Sequence, residues 1–360
     1  MVWTRFAKWM VLIAACVAIK IFSFFPASVE RYYSTGIYPW VSRLLRFLLG
    51  WIPFSVGDLF YAFFFIWVAV KVFALGKRLL GRRISRPYLK YMARRLLLFS
   101  LVLYIVFNLL WGLNYDRQGI AEQLQLEVKP YDTRQLAEVL GAVAAKLNEL
   151  HGDPTQQRNQ LRKKSILFQQ SVDAYRALEA ADSPFAYRSP SIKASLFSYL
   201  GNYIGFTGYY NPFSGEAQVN TTVPVFIRPF TTCHEIGHQL GYAKENEANF
   251  SGYLAAKSSP NPSFRYSAYF DLYIYAATEL YYRDSTRLLP IRDSLQPAVR
   301  RDFSDLRLFL AKYENPVEPF IRRLYGRYLR ANKQPQGINT YDEVTAWLVA
   351  YYRKFGRQRL

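Results

Sequence analysis

His234-Glu235-Ile236-Gly237-His238 sets two imidazoles four residues apart, with a carboxylate beside the first. On a helix, residues four apart share a face, so both rings can reach one metal ion. Glu235 projects toward the same cleft and can take a proton from water. Two neutral nitrogen ligands, an open coordination position and a nearby general base are what a zinc hydrolase needs. The pentapeptide also arises by chance in solvated helices, so its surroundings carry weight. The chain has three His in all, and two are here. Phe230, Cys233, Ile236 and Leu240 make one side of the segment apolar, as a buried helix requires.

The element that must complete the site follows at once. Gly241 is placed to end the motif helix in a left-handed cap, and Lys244 to Lys257 has the composition of a second helix. If the two fold back about Gly241 and Tyr242, positions pair in mirror order. His238 then faces Glu245, and His234 faces Asn249. Glu245 becomes the third ligand, and Asn249 an outer group that orients the His234 ring. Glu247 is the rival carboxylate, although its helical companions Phe250, Ser251 and Leu254 read as core. Glu245 is favoured, but spacing alone leaves both open, and either suits an acidic first turn that complements the helix dipole. Lys244 stands where the HExxHxxGxxH pattern has its third His, and a charged Lys cannot serve as a ligand.

His234-Glu235-x-x-His238 followed by Glu245-x-x-Ala248-Asn249 resembles the zincin metallopeptidases whose third ligand is a Glu, the thermolysin-like and prenyl-protein membrane proteases among them. With Gly208-Tyr209-Tyr210-Asn211-Pro212-Phe213-Ser214-Gly215-Glu216 upstream, most of the chain is similar to an uncharacterised family of bacterial membrane-anchored zincin-like proteins. The likeness to characterised peptidases is confined to 234–249, and the gap between His238 and Glu245 is much shorter than in thermolysin. The resemblance implies a zincin-like α+β catalytic domain with a small β-sheet, Zn2+ as cofactor, and a peptide or protein substrate. It also implies a strand edge at Glu216–Val223, beside the metal helix, on which an extended peptide pairs.

The rest of the chain must hold that site. At 360 residues it reads as two parts, a membrane anchor over 1–115 and an extracytoplasmic domain over 116–360. Apolar stretches at Trp9–Phe25, Leu59–Leu75 and Leu96–Leu113 are each long enough, or nearly so, to cross a bilayer core. Trp51, Trp67, Trp111 and Tyr115 suit interfacial anchors, and Tyr38–Trp51 reads as an amphipathic interfacial helix with arginines on its polar face. Pro26-Ala27-Ser28 leaves open cleavage of the first stretch as a signal sequence.

The formal net charge is +20, and +13 of it lies within residues 1–115. Lys77, Arg78, Arg82, Arg83, Arg86, Lys90, Arg94 and Arg95 occur with no acid among them. That is a positive-inside signal: it predicts a cytoplasmic loop, at the bacterial inner membrane that the resemblance implies, with everything after Tyr115 on the far side. Nucleic acid is disfavoured as a partner, because the loop has few interleaved aromatics or base-reading polar groups. The two Cys, Cys16 and Cys233, allow no disulfide within the outer domain, and Cys233 reads as a small buried hydrophobe.

Beyond the membrane, helical periodicity dominates. Asp132-Thr133 can cap Arg134–His151, with His151 structural at its end, and residues 155–181 read as a further helix. Ser195–Tyr203 and Gln218–Phe226 are the strand candidates, and Tyr209, Tyr210 and Asn211 read as loop residues near the cleft. Phe264–Tyr282 is Tyr-rich, and one of its phenols could donate to an oxyanion. Helices near 292–313, 316–331 and 340–354 complete a mainly α fold. The function expected is that of a membrane-anchored zinc metallopeptidase. The alternative is a non-catalytic envelope protein whose structural zinc site is closed by Glu247 or Cys233.

Overall fold

The structure is a computed structural model that describes residues 2–81, 85–151, 155–181, 183–334 and 341–360. Arg82 and Arg83 of the basic loop lie outside the described residues. The fold is mainly helical with one three-stranded sheet. Val56–Leu80 and Arg86–Leu110 are long and apolar enough to cross a membrane. The first apolar helix meets that test only as a pair, Ala7–Phe22 with Pro26–Leu49, bent by 101°. Among the described residues, two helices, or up to three, are therefore long and apolar enough to span.

Tyr38–Leu49 is a helix with two unlike faces. Tyr38, Ser42 and Arg46 are buried against the protein, while Trp40, Leu44, Phe47 and Leu48 are exposed. Its polar side, Arg46 included, thus packs inward, and its apolar side points away. The Arg46 guanidinium lies over the Tyr187 ring, 5.3 Å from its centroid.

Farther along the chain, Thr133–Leu150 begins with a capping box between Asp132 and Gln135 and packs on the long helix Pro262–Asp293. The stretch 155–181 is two helices, Thr155–Gln160 and Lys164–Ala181, separated by a turn. His151 at the end of the first helix faces Asp302, with Nε2 3.4 Å from Oδ2, in a cluster with Arg158 and Tyr266 remote from the motif.

The sheet has the order β1-β3-β2: β1 (Ile192–Ala194) runs parallel to β3 (Glu216–Val219), and β2 (Gly208–Asn211) runs antiparallel to it. Three readings are corrected here. Most of Ser195–Tyr203 is helix, Ser198–Ile204, because Ser195 turns the chain: its hydroxyl accepts from Phe197 N at 3.0 Å and its carbonyl from Ser198 Oγ at 2.7 Å. Of Gln218–Phe226, only the first two residues are strand. Tyr209, Tyr210 and Asn211 are strand rather than loop, and the last two are buried.

β3 is paired on both sides, so Glu216–Val223 offers no free edge to a peptide. Its buried polar groups serve the apolar helix Val56–Leu80 instead. The fully buried Glu216 carboxylate accepts from Ser55 Oγ, Val56 N and Gly57 N at 3.1, 3.1 and 2.6 Å, the open N-terminus of Val56–Leu80. One turn on, Asp58 accepts from Tyr209 Oη at 2.5 Å and Leu196 N at 2.7 Å. The sheet is thereby fastened to the start of a helix of membrane-spanning length.

Candidate metal centre

The motif lies on Arg228–Gln239, and Glu245–Ser258 folds back on it as an antiparallel neighbour. Gly241 has φ +88°, Tyr242 N donates to Gly237 O at 3.2 Å, and Gly241 N donates to His238 O at 3.0 Å. That is the Schellman ending its sequence predicts. The two helices touch closely because small residues line the crossing. A Cβ on Gly252 would stand 2.9 Å from His234 N, inside normal contact.

The hairpin brings Glu245 to both imidazoles. Its carboxylate lies 3.4 Å from His234 Nε2 and 3.8 Å from His238 Nε2. His234, Glu235 and His238 also cluster, each offering a ligand atom within 4.8 Å of the others. The imidazole planes are nearly perpendicular, with centroids 4.8 Å apart. His238 Nδ1 is 2.8 Å from Tyr242 O; donating there leaves Nε2 with its lone pair toward Glu245. The Asn249 amide hydrogen-bonds the His234 side chain, the neighbour expected from mirror pairing. Glu247 turns away: it lies 3.6 Å from Lys244 Nζ and against Gly119. Cys233 is fully buried, with its thiol bonded to Ser171 and its carbonyl accepting from Tyr175 Oη at 2.7 Å.

The electrostatics follow from burying four titratable groups together. Burial opposes charge on His234, but the Glu245 hydrogen bond and the Glu235 and Glu245 charges outweigh it and lift its pKa to about 9. His238, desolvated and beside His234, falls to about 4. Burial raises Glu235 to about 8 against the pull of His234. Glu245 is also penalised by burial, but its His234 hydrogen bond and the imidazole charges hold it below the usual carboxylate range. One Glu235 oxygen, Oε2, is buried without a hydrogen-bond partner. Gly208 at the start of β2 closes over this side chain, since a Cβ there would stand 2.5 Å from Glu235 Oε1.

Several neighbours were not legible in the sequence. Tyr325, on Glu318–Ala331, donates to Glu245 Oε1 at 2.6 Å. The Tyr-rich helix supplies a more remote contact: Tyr275 donates to Asn249 Oδ1 at 3.4 Å, while Tyr266 and Tyr269 bond Asp302 and Leu360. Asp271 lies near enough for His234 to act on it; burial raises its carboxyl to about 7 against that pull. Trp111 and Tyr115, read as interfacial anchors, are instead buried beside the motif, with Trp111 Nε1 donating to His238 O at 3.2 Å. Trp51 and Trp67 do remain exposed. No sequence signal linked Tyr325 or Trp111 to a motif on the opposite side of a long separation.

A family described as "Protein of unknown function (DUF3810)" matches residues 33–349, and the chain belongs to that family. No curated protein and no solved structure matches it.

Proposed function

We propose that this chain is a membrane-anchored zinc metallohydrolase, a peptidase by its donor set and general base. His234, His238 and Glu245 hold the ion, and Glu235 moves the proton. The observation that carries the reading is the Glu245 carboxylate 3.4 and 3.8 Å from the two Nε2 atoms. Ligands about 2.0–2.1 Å from a tetrahedral zinc ion stand roughly 3.3–3.4 Å apart, so the donors need little movement to close on one. Two imidazoles and one carboxylate form a three-ligand set that leaves a position open. Glu247 and Cys233, the candidates for closing it, are engaged with Lys244 and Ser171, which disfavours the structural-zinc alternative.

Zinc, when bound, supplies Lewis acidity that acidifies water and polarises a carbonyl. The chain's own residues do the rest. Glu235 accepts the proton that water loses on attacking the amide carbon, and returns it to the departing amine nitrogen. Burial suits it to the first task, because a carboxylate with a raised pKa is a stronger base than an exposed one. The Tyr242 carbonyl and Asn249 fix the two imidazoles, and Tyr325 fixes Glu245. β2 is the outer strand beside Glu235, and an extended substrate laid along it brings an amide toward that carboxylate.

The test uses the full chain in detergent, loaded with zinc and assayed on a mixed-sequence fluorogenic peptide library. Glu235→Gln should retain zinc by metal analysis and lose about 100-fold or more of turnover. His238→Ala should lose both. A wild-type chain that binds no zinc, or a Glu235→Gln variant with full turnover, would overturn the reading.

A further inference from the structure

Among the described residues, fourteen large apolar side chains are exposed beyond Tyr115, and eight of them fall in 196–203 and 317–328. Single exposed apolar residues are ordinary, but a contiguous patch marks an interaction surface. These two segments are neighbours. Asn315 Nδ2 donates to Tyr203 O at 2.7 Å, Tyr203 and Tyr313 stack edge to face at 5.1 Å, and Phe206 meets Tyr325 at 5.4 Å.

The patch is also continuous with the membrane helices. Leu196 N donates to Asp58, which directly precedes the exposed Leu59 and Phe60 of Val56–Leu80. Tyr328 Oη lies 3.1 Å from Tyr115 Oη, just past the end of Arg86–Leu110. Lys333 donates to Ser23 O at 3.0 Å, at the end of the first apolar helix.

Helix Glu318–Ala331 has the faces of an element lying in a membrane interface. Phe320, Leu324 and Tyr328, four residues apart, form an exposed apolar stripe; Arg323, Arg327 and Arg330 are exposed along one side of it. The face on its other side, with Tyr325 and Leu329, packs inward, and Tyr325 touches Glu245. This helix separates the site from the apolar surface by about one helix diameter, ~10 Å.

We propose that the outer faces of Glu318–Ala331 and of 196–203 rest in the bilayer interface. The site then opens at the membrane surface and takes peptide segments anchored in that same membrane. The occupant of the patch is lipid because the patch continues two helices of membrane-spanning length and carries an arginine border suited to anionic headgroups. The seating stands on surface chemistry alone. The substrate class rests on the hydrolase reading above.

Two measurements separate those claims. In the full chain with Cys16→Ser and Cys233→Ala, an environment-sensitive label is placed at Leu324→Cys or, as control, at the exposed Tyr282→Cys. The chain is reconstituted in vesicles of zwitterionic and anionic phospholipid. We expect a blue shift and quenching by brominated lipid at 324 and neither at 282; equal behaviour at both overturns the seating. The second measurement gives the zinc-loaded wild-type chain in the same vesicles the peptide library, either free or carried on a diacyl-lipid anchor. The anchored library should be cleaved at least tenfold faster, and Leu324→Glu should remove that advantage while cleavage of the free library is kept. Equal rates on the two libraries overturn the substrate claim. Quenching at 324 with no cleavage of either library supports the seating and counts against the hydrolase reading alone.

Discussion

Glu235 and His234 share a buried volume in which each sets the other's proton. His234, with a pKa of about 9, must release its proton before its nitrogen can bind a cation. Zinc affinity of the full chain should therefore rise about tenfold per pH unit from pH 7 toward 9, as read by chelator competition. A flat profile would mean that the imidazole is already neutral. The same groups fix the stability of the metal-free chain. In the folded state His234 is raised from 6.5 to about 9 and Glu235 from 4.5 to about 8, so between pH 6.5 and 9 these two groups hold more protons folded than unfolded, partly offset by the partly buried Lys257, lowered from 10.5 to about 7. Stability contributed by these protons is present at low pH and lost as pH rises through the folded values. The melting temperature of chelator-treated protein should fall from pH 6.5 to 9, and a rise would contradict this. Tyr325 acts through Glu245, so Tyr325→Phe should weaken zinc binding by about 10–100-fold. Turnover at saturating zinc should be changed far less, which separates positioning from proton transfer. His234, Glu235 and His238 were legible because one helical turn relates them; Tyr325 was not, because eighty residues separate it from Glu245.

The helical hairpin is the element that makes a site from a motif. Its turn was readable from Gly241, and its mirror order placed Glu245 and Asn249 against the imidazoles. The closeness of the crossing was less readable, since it depends on Gly252 lying against the backbone of His234. A branched side chain there has to push the helices apart. Gly252→Val should cost about 1–3 kcal/mol in denaturant unfolding and weaken zinc binding as the donors separate. A variant with wild-type stability and affinity would show that the hairpin is not tightly constrained at this crossing. The strands were read less well. Short runs such as β1 and β3 carry too few residues for their alternation to be distinguished from a turn, and β3 is unusual in burying Glu216 and Gln218.

For the whole molecule, segments flanking the long apolar helices form one wall of the site. Tyr38 Oη and Ser42 Oγ both donate to Gln239 O at 3.0 Å, and Arg117 joins Glu30 at 2.7 Å to Gly241 O at 3.0 Å. Together with Trp111 on His238 O, these bonds hold the C-terminal end of the motif helix. Both membrane-length helices approach the site at one end, Val56 and Leu110, and Lys77, Arg78 and Arg86 lie at the other. Glu216→Ala should leave the first amides of Val56–Leu80 without their acceptor, at a cost of about 1–3 kcal/mol in thermal or denaturant unfolding. Residues 116–360 expressed alone should aggregate or melt well below the full chain. Equal melting temperatures would show that the two parts are energetically separate.

The sequence by itself determined what one helical turn and one tight hairpin can encode: paired imidazoles, an adjacent carboxylate, a reversing glycine and apolar runs of membrane length. These are local, because backbone periodicity relates residues only a few positions apart. Tertiary structure decided which phenol reaches Glu245, which strand abuts Glu235, and that a long apolar helix begins on a buried carboxylate of the sheet. Those contacts join residues from 27 to 160 positions apart, where the path of the chain, rather than its local pattern, sets distance.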